Sequence, residues 1–254
     1  MKCFFERHAA SSAAILLCFV PLLTPSAARA EETNGFVTFS GHDWAKDSHY
    51  MYQGIVAAIN RDLSKDGVVV RVFGGIADYS YELDPNIIDG KGYQADILVG
   101  YQRVEGPLNA SFYAGFDYQH QKLKPDDPEN PVNGTDVGFK VLGEISSPND
   151  APMYVSVTGS YSTAFETYWN RAVVMFDFGR FKAGPEGVMF GNEGFSAKRI
   201  GGTATFDVNL LPSLPVSVYV NAGRQIVDED DPGAIASSAG GTGAYVGFGF
   251  STSF

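Results

Sequence analysis

From about residue 35 to the carboxy terminus, apolar and polar residues alternate with a period of two. In "ASFYAGFDYQH", Ala110, Phe112, Ala114, Phe116 and Tyr118 alternate with Ser111, Tyr113, Gly115, Asp117 and Gln119. "TDVGFKVLGEI" sets Val137, Phe139, Val141 and Ile145 against Asp136, Gly138, Lys140 and Glu144. "IGGTATFDVNL" and "VSVYVNAG" repeat the pattern. So does the closing "GAYVGFGFSTSF", where Ala244, Val246, Phe248, Phe250, Thr252 and Phe254 share a face. Successive side chains of a strand point to opposite faces, so this period predicts strands. The spacing predicts twelve: 35–45, 50–61, 67–82, 91–104, 109–122, 134–146, 153–164, 168–180, 186–192, 197–210, 216–227 and 243–254. "YQGIVAAINRDLSKDG" also admits an amphipathic helix over Gly54 to Leu63, but a strand there keeps the count even.

The two faces differ in kind. One carries full charges at mid-strand: Asp96, Asp117, Asp136, Lys140, Glu144, Arg171 and Asp207. The other carries almost none. A soluble sandwich also alternates, but this division suits oil outside and polar groups inside. Aromatics near strand ends, among them Trp44, Tyr50, Tyr52, Tyr93, Tyr101, Tyr118, Tyr161 and Tyr168, suit an interfacial girdle. The expected fold is all-β, a closed antiparallel transmembrane β-barrel of about twelve strands. Even-to-odd connections such as "DLSKDG", "EGPL" and "LPSLP" are short. The odd-to-even set includes the long acidic "LDPNIIDG", "KPDDPENPVNG" and "DEDDPGAIASSAGG". That asymmetry puts both termini on the periplasmic side.

Residues 1–30 read as a cleaved signal peptide: Lys2 and Arg7, an apolar run from about Ala13 to Leu23, then Ala28-Arg29-Ala30. Residues 31–254 then form a single barrel domain. Cys3 and Cys18 both lie in the leader, so the exported chain has no disulfide. The full chain carries a net charge of −11, and removal of Lys2, Arg7, Arg29 and Glu6 with the leader makes it −13. That balance argues against nucleic acid as a partner. The expected partners are outer-membrane lipid and the outer-membrane assembly machinery. The final strand, with Phe250 and terminal Phe254, resembles the targeting signal that this machinery reads.

Chemistry is sparse. His42, His49 and His120 lie near strand ends, but no spacing shows them converging with a nucleophile or acid, so no catalytic residue is expected. No metal-ligand spacing of the H-E-x-x-H or C-x-x-C type occurs, and no cofactor is expected. Inside the barrel, Arg71, Lys140, Arg171 and Arg199 are positioned to neutralise Asp96, Asp117, Asp136, Glu144, Asp177 and Asp207. A lumen of about twelve strands is narrow, and such mixed charges knit it with salt bridges. Inward Tyr113, Tyr154, Trp169 and Tyr219 suit either filling or stacking on sugar rings.

The stretch from Ser40 to Glu82, "SGHDWAKDSHYMYQGIVAAINRDLSKDGVVVRVFGGIADYSYE", goes beyond architecture. Trp44, Lys46-Asp47-Ser48, Tyr50, Tyr52, Gly54, Ala58 and Asn60 carry a signature, followed by Asp62-Leu63-Ser64-Lys65-Asp66-Gly67, Arg71, Gly74-Gly75 and Tyr79-x-Tyr81. It resembles the amino-terminal signature of the cellulose biosynthesis protein BcsS family. The resemblance implies an exported, outer-membrane accessory protein of cellulose production, with cellulose-secretion components or a β-glucan as partners. It brings no catalytic residue. It marks Trp44, Lys46, Asp47, Tyr50, Tyr52 and Arg71 as binding candidates. "DLSKDG" suits a tight turn with Gly67 free to take positive φ, and Gly75 leaves room for the Arg71 guanidinium. A small oligosaccharide-permeable porin and a rim-active enzyme, such as a lipid A acyl hydrolase or a protease, are the alternatives.

Overall fold

The computed structural model describes residues 34–83, 86–149, 151–211, 214–228 and 240–254. The expected signal peptide lies outside the described residues. Twelve antiparallel strands close into a barrel. They are β1 (Phe36–Ala45), β2 (Ser48–Ala58), β3 (Gly67–Leu83), β4 (Asn86–Glu105), β5 (Leu108–Lys124), β6 (Gly134–Ser146), β7 (Met153–Ser162), β8 (Tyr168–Asp177), β9 (Lys182–Asn192), β10 (Phe195–Leu211), β11 (Leu214–Val227) and β12 (Gly243–Ser253). Each pairs with its neighbours in sequence, and β1 closes on β12 from Val37↔Ser253 to Ala45↔Tyr245. Closure leaves no unpaired edge, which a bilayer demands of any sheet that crosses it. The segment that also admitted a helix is strand up to Ala58 and turn beyond it.

β4 shows how the sequence sets the two faces. From Ile87 to Glu105 its residues alternate between exposed and buried or half-buried. Outward lie Tyr93, Ala95, Ile97, Val99 and Tyr101, an apolar run closed by a tyrosine at each end and flanked by Lys91 and Arg103. At about 3.4 Å per residue and a tilt near 40°, this run spans roughly the 25 Å of an outer-membrane hydrocarbon band. Phe112, Phe116, Val137, Phe139, Ile200, Val220, Phe248 and Phe250 continue the band around the barrel.

Gln53 breaks it. This residue is exposed midway along β2, between Met51 and Ile55, and stands opposite Ser40 on β1. No hydrogen bond to its side chain occurs among the described residues. An amide facing hydrocarbon without a partner costs free energy. Gln53→Leu is therefore expected to stabilise the vesicle-inserted barrel by about 1–2 kcal/mol, read as a higher urea midpoint. A lower midpoint would mean that the amide is satisfied in the membrane.

Inside, the packing is layered. Ala58, Val69, Leu98, Tyr113 and Leu142 form an apolar cluster near the end that holds the termini, joined by Leu63 of the β2–β3 turn. Tyr79, Ile88 and Leu123 form another near the opposite mouth, and Phe195, Ala197 and Val227 a third. Charged residues occupy the middle. Glycines opposite tyrosines let the rings lie flat on the wall: Gly41 faces Tyr52, Gly90 faces Tyr79, Gly100 faces Tyr113 and Gly249 faces Tyr219.

The connections differ from expectation in two places. "LDPNIIDG" is no long loop: β3 runs to Leu83 and β4 starts at Asn86. The alternation persists because Tyr79, Ile88 and Leu123 bury their inner faces there. The ninth strand begins at Lys182 rather than 186. "KAGPE" reads as a turn, yet Pro185 is tolerated in the strand because the β8–β9 ladder is interrupted between Val173↔Glu186 and Phe176↔Ala183. The β5–β6 connection, residues 125–133, is long as expected, whereas most of "DEDDPGAIASSAGG" lies outside the described residues.

Candidate functional site in the lumen

Strand parity aims Arg71, Asp96, Asp117 and Lys140 inward from four consecutive strands, β3 to β6. Arg71 Nη1 donates to Asp96 Oδ1 at 2.6 Å, and Lys140 Nζ donates to Asp96 Oδ2 at 2.7 Å. Lys140 also lies 3.7 Å from Asp117, whose oxygens accept from Gln94 Nε2 (3.2 Å) and Gln119 Nε2 (2.8 Å). The Arg71 guanidinium sits 4.6 Å from the centre of the Phe73 ring, so an aromatic face adds to its ion pair.

A second network spans the other half. Arg171 on β8 donates to Glu186 on β9. Glu186 Oε1 also accepts from Asn221 Nδ2 at 3.1 Å and from the Tyr245 hydroxyl at 3.2 Å, drawing in β11 and β12. Arg199 on β10 reaches Asp43 on β1 at 2.9 Å and Gln225 at 2.9 Å, with the Phe190 and Tyr245 rings each 5.0 Å from its guanidinium. The Tyr52 and Tyr219 hydroxyls, on β2 and β11, meet across the face of β1 and β12. Gly41 lies beneath them, and a Cβ there would collide with both hydroxyls. Asp43 Oδ1 and Asn221 Oδ1 are buried without a hydrogen-bond partner.

Of the charges expected to balance these cations, Glu144, Asp136, Asp177 and Asp207 make no ion pair among the described residues. Asp136 accepts from the Phe165 amide at 2.9 Å, Asp177 from the Gly179 amide at 2.6 Å and Asp207 from the Ser217 hydroxyl at 2.5 Å. All three lie towards strand ends, where turn amides and hydroxyls are nearer than a lumen cation. Sequence parity missed Glu186, which the shorter predicted strand left as its first residue, and Asp43, which lies near the end of β1. Gly75 makes room for the Tyr50 ring, not for the Arg71 guanidinium. Tyr50 in turn donates to Gln94 at 3.3 Å.

The signature residues divide between places. Tyr50, Tyr52 and Arg71 line the lumen. Trp44 faces outward, stacked on His42 and Phe248. Lys46 and Asp47 form the two-residue β1–β2 turn, where Asp47 adopts the left-handed backbone (φ 59) that Asp and Asn tolerate best after glycine. In the β2–β3 turn Gly67 begins β3, and the left-handed residue is Arg61 (φ 62). That turn is tied by Asp62. Hydrogen bonds from Lys65 and Ser64 pull its carboxyl down to about 2. His42, His49 and His120 all sit on the outer face: His49 bonds Asp78 at 3.1 Å and His120 bonds Thr135 at 2.8 Å. Phe250 faces outward on β12. Phe254 exchanges backbone hydrogen bonds of 3.1 and 2.9 Å with Phe36 and stacks on its ring, clamping the seam.

The family model described as cellulose biosynthesis protein BcsS matches residues 37–254. The chain belongs to this family. The match starts one residue into β1 and runs to the last residue, so family and barrel coincide. No curated protein matches the chain. Among solved structures it is similar to the KdgM porin in complex with disordered oligogalacturonate, at 10% identity and a TM-score of 0.46, covering 86% of this chain and 99% of the porin. It is also similar to a Pseudomonas aeruginosa FadL homologue, at 8% identity and 0.36, covering 81% and 67%. CdiB from Acinetobacter baumannii gives 8% and 0.37, covering 87% and 60%. Likenesses this distant carry no functional weight.

At the mouth opposite the termini, this BcsS-family barrel is partly covered. Asp127 and Asn130 of the β5–β6 loop are buried and bonded to the Tyr81 hydroxyl at 2.7 and 3.1 Å. At the same barrel end, partial desolvation raises the pKa of Glu193, an exposed residue of the β9–β10 turn, helped by the charges of Glu166 and Asp136. An acid with a raised folded pKa destabilises the fold when ionised, and the cost fades as pH falls through that value toward the ordinary carboxyl range. Glu193→Gln is expected to slow amide exchange in this turn at neutral pH, after correction for intrinsic rates, and to remove its pH dependence. Exchange that still slows on acidification in the variant would assign the effect to another group.

Proposed function

We propose that this BcsS-family protein is an outer-membrane barrel with both termini in the periplasm. It supports cellulose production as a braced accessory, neither conducting the polymer nor catalysing a reaction. The observation that carries this reading is the mid-lumen bracing. Glu186 binds groups from β8, β11 and β12, Arg199 ties β10 to β1, and Tyr52 meets Tyr219. A glucan threading the barrel would have to break buried ion pairs with neutral hydroxyls, a poor exchange in a low-dielectric interior. The apolar outer band supports the membrane location, and the family supports the cellulose link. The assembly machinery reading the Phe254 strand, and cellulose-secretion components or a glucan at the mouth, are the partners this role implies.

The test is a chromosomal deletion with complementation. Extracellular cellulose is expected to fall on deletion and to return with the wild-type gene and with a His42, His49 and His120 triple alanine variant. Failure of that variant alone would favour a rim enzyme. Unchanged cellulose would sink the accessory role. Purified protein in planar bilayers is expected to conduct little, and steady sugar-blocked conductance would favour the porin.

A further inference from the structure

On an acidic chain, the outer face of one barrel end gathers lysines. β4 and β5 project beyond Tyr93 and Tyr118, which close the apolar band on that side. Past them, Lys91, Lys122 and Lys124 are all exposed and outward, with Lys91 opposite Lys122 across the ladder. Like charges facing each other destabilise a strand pair, so a counter-charge beside Lys122 would favour the pairing. Around the same end, Lys198 on β10 and Arg224 on β11 are also exposed and outward. Outward acids stand among them: Asp78 serves Lys91 at 3.4 Å and His49 at 3.1 Å, Glu82 is exposed further along β3, and Asp89 stands opposite Lys124 without forming an ion pair. Among the described residues Lys122 and Lys124 make no ion pair. At the far end of β4, by contrast, Arg103 is satisfied by Glu105 at 2.7 Å.

We infer that this belt binds the phosphate groups of membrane lipid in the leaflet at the hairpin end, with Lys91, Lys122 and Lys124 as the principal contacts. The inference rests on the membrane-barrel reading. Three arguments favour a lipid over a soluble anion. The cations lie on the lipid-facing side and not at the lumen mouth. They lie beyond the apolar band on the same strands, so acyl chains on Phe116 and Tyr118 would bring a headgroup to their height. Their four- and six-residue offset from Tyr118 places them about 10–15 Å above the band's edge along a tilted strand, at headgroup level. A leaflet rich in phosphorylated glycolipid then lies at the end away from the termini, in keeping with periplasmic termini.

The experiment refolds the full mature chain into phosphatidylcholine vesicles doped with lipid A or with enzymatically dephosphorylated lipid A. Lipid retained per barrel is counted by native mass spectrometry after extraction. Retention of the phosphorylated form is expected to exceed that of the dephosphorylated form. Each lysine near an anionic headgroup contributes about fivefold in affinity, so Lys91→Gln, Lys122→Gln and Lys124→Gln together should weaken binding by roughly a hundredfold. Arg103→Gln should change nothing, and millimolar inorganic phosphate should not compete. Equal retention of both lipids, by a wild-type barrel that still shows a heat-dependent gel shift, would overturn the inference and leave the barrel intact. Displacement by inorganic phosphate would overturn it in favour of a soluble anion. A chain that inserts into neither vesicle would overturn the barrel reading as well.

Discussion

Asp96→Ala is expected to remove about 3–5 kcal/mol of the barrel's stability, the largest loss of any single lumen substitution. The Asp96 side chain is fully buried and accepts from both Arg71 and Lys140. Removing it strands two buried cations at once. Asp117, 3.7 Å from Lys140, compensates only one of them, and the Phe73 ring is a weak substitute for a carboxylate. Stranded buried charge, rather than the lost bonds alone, sets the magnitude. Unfolding in vesicles, followed through Trp44 and Trp169 fluorescence, measures it. The result also bears on function. A loss below about 1 kcal/mol is what a water-screened ion pair gives. It would mean that water fills the mid-lumen, and the braced reading would give way to a pore.

The second large effect is on conductance. In Tyr52→Ala/Tyr219→Ala the bridge over β1 and β12 is lost, and single-channel conductance is expected to rise several-fold above a low wild-type level. Both rings lie over glycines, Gly41 and Gly249, so alanine leaves open space that no neighbouring side chain fills. Tyr219→Phe keeps the ring and is expected to keep the low level. This separates steric closure from the hydroxyl contact. No change in the double variant would place the barrier elsewhere, first at the loop held by Tyr81 and Asp127.

Alternation was enough to expose the architecture. A period of two is a local property of each strand, and twelve such segments with charges on one face leave few folds that satisfy every backbone group in oil. "DLSKDG" likewise announced a turn, because turn chemistry depends on neighbouring residues. The lumen was legible only in part. Parity shows that Arg71, Lys140 and Asp96 point inward, but not that Arg71 and Lys140 share one carboxylate. Which charges meet depends on the stagger between strands, and that is set by closure of β1 on β12 rather than by any one segment. Asp43 and Arg199 lie 156 positions apart and are joined only because the barrel closes. The same holds for Tyr52 and Tyr219. A contact between distant segments leaves no periodic trace along the chain, whereas the face a side chain occupies is set by its nearest neighbours, so the wall and the presence of ion pairs inside it could be read from the residues, but not which groups meet.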